Sequence, residues 1–343
     1  MMRVGILTGG GDSPATNAAI RAIVKRAVED GHEIFGIKNG WAGLVENNMM
    51  EITREDVAGI LPKGGTILGT SRTNPFKMDV VDSVRKTIAD NRIDAIIAIG
   101  GDDTLGVLHR LNNLDENSVV GVGIPQTIDN DIPGTDYAIG FDSAVAIATD
   151  ACDKLHTTAE SHHRVMILEV MGRDAGHIAV EAGLAGGADI ILIPEHPFEL
   201  DWVCDRIKKR KSAGKTFSII VVAEGAKPVG HDQIIRTEKV DQFGHALLGG
   251  VGEYLALEVE KCTEIETRVT ILGHLQRGGM PTAYDRVQAT RFGVAAVGLV
   301  DQKKWDYMVA LKGSKITEVP LEEGLDGVKP VEKGLYKTAS LFY

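Results

Sequence analysis

The chain has 343 residues, 43% hydrophobic and 25% charged, with a net charge of −11. That length predicts about two domains with enough apolar content for sizeable cores, and the acidic balance argues against nucleic acid or an anionic membrane as a main partner. No stretch reaches the roughly 20 uninterrupted apolar residues of a membrane span. Cys152, Cys204 and Cys262 stand apart without a CxxC, so the expectation is a cytoplasmic protein whose cysteines are small buried hydrophobes, in neither a disulfide framework nor a zinc site.

In chain order, Val4–Thr8 is an apolar run too short for a signal peptide and reads as a buried strand. Helical spacing follows over Ala15–Val28, with Ala18, Ala19, Ala22, Ile23 and Ala27 apolar. Glu33–Ile37 reads as a strand and Val80–Ala89 as a helix. Asp94–Ile99 and Val119–Ile124 are continuous apolar strands, ending at Gly100-Gly101 and Pro125. Helices are expected at Phe141–His156, Ala175–Ala185, Asp201–Ser212, Leu247–Lys261 and Ala283–Val300. Strands are expected at Arg164–Glu169, Ile190–Ile193, Phe217–Val222 and Arg268–Leu272, and the polar stretch Lys227–Gly244 as a surface loop or short hairpin. This alternation predicts an α/β fold with mainly parallel sheets covered on both faces. Ligands then bind beyond the carboxyl ends of the strands, just after Thr8, Ile99, Ile124, Glu169, Val222 and Leu272.

The segments at those places carry chemistry. Gly9-Gly10-Gly11-Asp12 opens a helix, where backbone N–H groups can approach a phosphate; a tight strand-to-helix turn needs the same glycines. Gly100-Gly101-Asp102-Asp103-Thr104 also opens a helix. Two adjacent carboxylates repel a phosphate unless a cation such as magnesium lies between, although either could simply cap the helix. Thr127-Ile128-Asp129-Asn130-Asp131 follows the next strand. In extended backbone Asp129 and Asp131 would point the same way, one as a general base, the other holding its surroundings or a metal; an Asx-rich turn is the plain alternative. Arg72, Arg164, Arg173, Arg268 and Arg277 lie in loops or at strand boundaries, where arginine binds phosphate bidentately or forms a surface ion pair.

These segments resemble the phosphofructokinase family, bacterial type, nearly end to end. The likeness runs from Leu7–Asp12 through Gly64-Gly65-Thr66, the 100–104 and 127–131 segments and Met171-Gly172-Arg173 to Gly273-His274-Leu275-Gln276-Arg277-Gly278-Gly279. It implies two similar three-layer domains with the active site in the cleft between them. Residues 1–140 with about 276–326 would hold donor and magnesium; 141–275 with about 327–343 would hold the sugar phosphate. It implies that Gly11 and Arg72, with Asp103, Thr104 and Gln126, meet the phosphoryl donor. Asp102 would bind Mg2+. Asp129 would take the proton from the 1-hydroxyl of fructose 6-phosphate, Thr127 and Asp131 would support it, and Arg173 would neutralise the transferring group. Met171, Gly172, Glu224, His274 and Arg277 would hold the sugar phosphate. Arg164 and Arg268 would reach a neighbouring subunit's site, implying a homodimer or homotetramer.

ATP users of this family typically have glycine where Asp103 stands, and diphosphate users aspartate, which intrudes where an α-phosphate would lie. Diphosphate users usually have lysine at the position of Gln126, and ATP users often glycine. Diphosphate is therefore the expected donor and ATP the alternative. The alternatives are a kinase of a different sugar, or an NAD or lipid kinase; the last two share the Gly-Gly-Asp loop but would not need the later motifs together. A non-catalytic sugar-phosphate-binding regulator would not need Asp129.

Overall fold

A computed structural model describes residues 1–115, 119–230, 235–240, 246–248 and 250–342. The chain begins β1 (Arg3–Thr8), α1 (Thr16–Glu29), β2 (Glu33–Ile37), α2 (Trp41–Val45), β3 (Met49–Glu51), α3 (Val81–Asp90), β4 (Ala95–Gly100), α4 (Asp102–Asn112) and β5 (Gly121–Pro125). It continues with α5 (Phe141–His162), β6 (Val165–Val170), α6 (His177–Ala185), β7 (Ile190–Leu192), α7 (Leu200–Ser212), β8 (Ser218–Ala223), β9 (Ile235–Val240), β10 (Ala246–Leu248) and α8 (Val251–Thr263). It ends with β11 (Thr267–Ile271), a 3-10 turn (Gly273–Arg277), α9 (Ala283–Asp301), β12 (Tyr307–Lys312), β13 (Lys315–Pro320), α10 (Leu321–Gly324) and α11 (Lys333–Ser340). Two compact units form: Met1–Ser143 with Arg277–Val328, and Ala144–Gln276 with Lys329–Tyr343. No described helix is long and apolar enough to cross a membrane.

Unit 1 holds a seven-stranded sheet in the order β13-β12-β5-β4-β1-β2-β3. β2, β1, β4, β5 and β12 run parallel, and the edge strands β3 and β13 pair antiparallel. All six residues of β4 are buried, as a strand covered on both faces requires. Leu7, Ile96, Leu105, Leu108, Met308 and Leu321 share one core, each contributing about 1.5–3 kcal/mol on burial. From β1 the chain moves to β2 on one side and later returns to β4 on the other. The order therefore reverses between β1 and β4, and the loops leaving these two strands open the crevice where ligands bind in such sheets.

Unit 2 holds an all-parallel sheet, β11-β6-β8-β7, whose order reverses at β6. Its core gathers Ile167, Leu192, Val203, Ile220, Val222 and Leu255. The helix expected from Leu247 starts at Val251, because Gly250 before it takes φ +89° and Leu247 and Leu248 belong to β10. β9 and β10 form an antiparallel pair; residues 231–234 and 241–244 of the expected loop or hairpin lie outside the described residues.

The cysteine expectation is corrected in part. Cys204 on α7 and Cys262 on α8 form a disulfide, with Cα atoms 6.2 Å apart. They are 58 positions apart in sequence, and only the packing of α7 on α8 brings them together. Cys152 is buried as expected, and burial pushes its thiol up to about 11.

Candidate active site

The loop leaving β1 is held from outside itself. Gly9 N–H donates to Ile99 O (3.0 Å) and Gly10 N–H to Ser71 O (3.1 Å). Three consecutive carbonyls then receive side-chain donors from three segments. Thr70 Oγ1 donates to Gly10 O (2.7 Å), Gln126 Nε2 to Gly11 O (3.0 Å), and Arg277 Nη1 to Asp12 O (3.2 Å). Gly10 takes φ +78°, which only glycine adopts without strain, and a Cβ on Gly11 would run into the Arg277 guanidinium. With the carbonyls turned onto protein, the N–H groups of Gly11 and Asp12, which have no partner among the described residues, remain for an anion.

Arg72 lies next in chain to Ser71 and so belongs beside this loop. Thr104 is buried beneath it; a Cβ on Gly9 would come 2.6 Å from Thr104 Oγ1. Gln126, expected to face the donor, is buried and its amide serves the loop. Asp102 and Asp103 occupy the first turn of α4, Asp102 exposed and Asp103 half-buried.

The segment after β5 departs from the extended geometry read from sequence. Asn130 is left-handed at φ +54° and the chain bends at Ile128–Asp129. Asn130 locks the bend: Ala138 N–H donates to its Oδ1 (2.9 Å), and its Nδ2 donates to Asp136 O (3.3 Å). Thr127 Oγ1 accepts from Asp129 N–H (3.1 Å). This turn, rather than strand alternation, brings the carboxylates together. Burial, then the charges of Asp129 and Asp102, raise Asp131 to about 7. Behind the segment, buried Asp285 accepts from Gly140 N–H (2.7 Å), Ser143 N–H (2.9 Å), Ser143 Oγ (2.5 Å) and Tyr137 OH.

In unit 2 the corresponding loop is Met171–Gly176, after β6. Gly172 takes φ +129° and a Cβ there would lie 2.7 Å from Ala175 O. Gly225 N–H donates to Gly172 O (3.1 Å) and Glu224 N–H to Val170 O (2.8 Å), which brings Glu224 beside the loop. Gln276, fully buried, accepts from Met171 N–H (3.3 Å) and donates to Gly273 O (3.2 Å), so the turn carrying His274 joins the same end of the sheet. Arg173 Nε is buried with no hydrogen-bond partner among the described residues, an arrangement that suits an incoming anion.

Arg164 and Arg268 are not brought to this end. At the amino-terminal end of β6 and β11 both engage Glu266, Arg164 at 2.7 Å, and hold its carboxyl below the usual range. A cavity of about 390 Å³ lies at that far edge too, among His163, Lys215, Phe217 and Glu266. Arg277, grouped with the sugar-phosphate residues from sequence, places its guanidinium on the β1 loop of unit 1.

Sequence reading missed Thr70, Asn130, Asp285 and Gln276. Only Asn130 had a local signal, since asparagine tolerates the left-handed turn.

The family described as Phosphofructokinase matches residues 3–300. A "Pyrophosphate--fructose 6-phosphate 1-phosphotransferase" of Streptomyces coelicolor is 50% identical over 344 residues, covering 100% of both chains. An "ATP-dependent 6-phosphofructokinase" of Mycobacterium leprae is 48% identical over 345 residues, again covering 100% of each. Among solved structures, phosphofructokinase from Saccharomyces cerevisiae superposes with a TM-score of 0.83 at 31% identity, over 100% of this chain and 47% of that one.

Proposed function

This chain belongs to the phosphofructokinase family, and we propose that it transfers a phosphoryl group from diphosphate to the 1-hydroxyl of fructose 6-phosphate. The observation that carries the reading is the gathering, at the switch point of the unit 1 sheet, of a pinned glycine loop and the carboxylates Asp102, Asp129 and Asp131. The loop's N–H groups hold the donor phosphates. Asp129 takes the proton from the sugar hydroxyl as the oxygen attacks the phosphorus, and the bridging P–O bond of the diphosphate breaks to release orthophosphate. Thr127 fixes the backbone at Asp129, and Asp131 lines the same turn. In unit 2, Arg173 balances charge on the transferring group and, with Met171, Gly172, Glu224 and His274, receives the sugar phosphate.

The side chains offered by Asp102, Asp129 and Asp131 are all carboxylates, the oxygen donors magnesium takes; among the described residues no three such side chains gather closely enough to hold the ion by themselves, so phosphate oxygens would complete its shell. Asp102 would hold the ion together with phosphate oxygens, and the ion would supply charge neutralisation for the donor. Arg164 and Arg268, remote from Met171, would serve a neighbouring subunit's site in a homodimer or homotetramer.

Diphosphate is favoured as donor because Asp103 puts a carboxylate beside the loop, where an α-phosphate would meet repulsion. Initial rates with fructose 6-phosphate and magnesium, offering diphosphate, ATP or ADP separately, test this. The highest kcat/KM is expected with diphosphate. A much higher value with ATP refutes the donor reading, and no turnover with any donor refutes the function. Asp103→Gly is expected to shift preference towards ATP; an unmoved ratio would show that Asp103 is not the gate.

A further inference from the structure

We infer that Glu195 is a positioning residue for the sugar-phosphate loop, joining the exit of Met171–Gly176 to the carboxy-terminal segment. The inference rests on the assignment of Arg173 and its neighbours to the substrate. The loop is fastened at both ends. At its start, Met171 N–H donates to buried Gln276. At its end, Gly176 N–H donates to both carboxylate oxygens of Glu195, each at 3.1 Å. The same carboxylate accepts from Val331 N–H at 3.0 Å. Two further contacts bind this segment to the loop's exit. His177 Nε2 donates to Lys329 O (3.0 Å), and the His196 ring stacks on Tyr336 with centroids 4.4 Å apart.

One charged acceptor thus serves two main-chain donors more than a hundred positions apart, and bonds to a charged acceptor are the stronger kind. Arg173 stands between the two fastenings, and its carbonyl packs where a Cβ on Gly225 would otherwise go. Removing the Glu195 carboxylate leaves Gly176 and Val331 without their acceptor and lets the loop's exit move. The arginine then samples positions away from the phosphate it must meet. Glu195 touches no reacting atom; it acts through Arg173.

Steady-state kinetics on the full-length chain test this. Glu195→Ala is expected to raise KM for fructose 6-phosphate roughly tenfold while KM for the donor stays within about twofold. Glu195→Gln keeps one acceptor oxygen and should recover KM to within about threefold of wild type. In combination with Arg173→Lys the Glu195→Ala effect should largely vanish, because the group through which it acts has already been displaced. A lower melting temperature with unchanged KM values, or additivity with Arg173→Lys, overturns the inference. If Glu195→Ala does not fold, Glu195→Asp replaces it: the shortened carboxylate cannot span both N–H groups, so the same KM split is expected and its absence overturns the inference. A wild-type protein inactive on fructose 6-phosphate would instead remove the functional reading beneath it.

Discussion

At the carboxyl end of the unit 1 sheet, side-chain donors occupy main-chain carbonyls, and three carboxylates crowd the next turns. At the carboxyl end of the unit 2 sheet, main-chain N–H groups are bound by side-chain acceptors, Gln276 and Glu195, and an arginine keeps a buried Nε without a partner among the described residues. Each unit ties up one kind of backbone group and leaves the groups that would suit its proposed ligand. Unit 1 turns its carbonyls inward and offers N–H groups, which suits a phosphate chain, while its carboxylates call for a cation. Unit 2 offers the guanidinium directly, which suits a phosphate without a metal.

The strongest way to break this contrast is at Asp129, the proposed base. Asp129→Ser removes one carboxylate and leaves every fastening of the β1 loop and of Met171–Gly176 in place. Turnover should fall by roughly 10²–10⁴-fold. Binding of fructose 6-phosphate and of donor, measured by calorimetry, should be largely spared. Undiminished turnover would remove Asp129 from the mechanism.

The crowding itself should be measurable as stability. Asp131's folded-state pKa is raised from 3.8 to about 7 by burial and by Asp129 and Asp102. Such a group contributes stability that is fully present below its unfolded value and lost as pH rises through the folded value. Above that, with no cation, the ionised carboxylate weakens the fold. Asp131→Asn should therefore stabilise the metal-free protein by roughly 4 kcal/mol near pH 8 and by roughly half that near pH 5. Denaturant unfolding at the two pH values checks the sign. An asparagine variant no more stable than wild type near pH 8 would mean that the three carboxylates do not crowd as described.

What was legible in the sequence follows the same division. Buried parallel strands such as β4 and β6 show as continuous apolar runs, so the α/β class was readable. The edge strands were not: Met49–Glu51 and Lys315–Pro320 are short or half-exposed and carry no such run. Helix α2, five residues long, is too brief to show a period. The glycine and aspartate segments were visible because their chemistry is local. Their fastenings were not, because Thr70, Gln126 and Arg277 reach the β1 loop across 60, 115 and 265 positions. The Cys204–Cys262 pair was hidden for the same reason. Asp129 and Asp131 show a subtler gap: their nearness was anticipated, yet its cause is the left-handed Asn130.

The smallest expected effect is the most discriminating for unit 1. Gln126 could serve the donor in two ways, by touching a phosphate or by holding the loop that does. Its amide donates to Gly11 O at 3.0 Å and its side chain is buried, which favours the second. Gln126→Leu preserves bulk and removes the donor, leaving Gly11's carbonyl without that bond, a loss of roughly 1–3 kcal/mol shared between stability and loop order. KM for the donor should rise about tenfold, and KM for fructose 6-phosphate should stay unchanged, because the unit 2 loop has its own fastenings. The ratio of kcat/KM for diphosphate to that for ATP should not move, since a loosened loop grips either donor less well. A loss confined to one donor would place the amide on the phosphate instead, and the parallel between the two pinned loops would then fail on the unit 1 side.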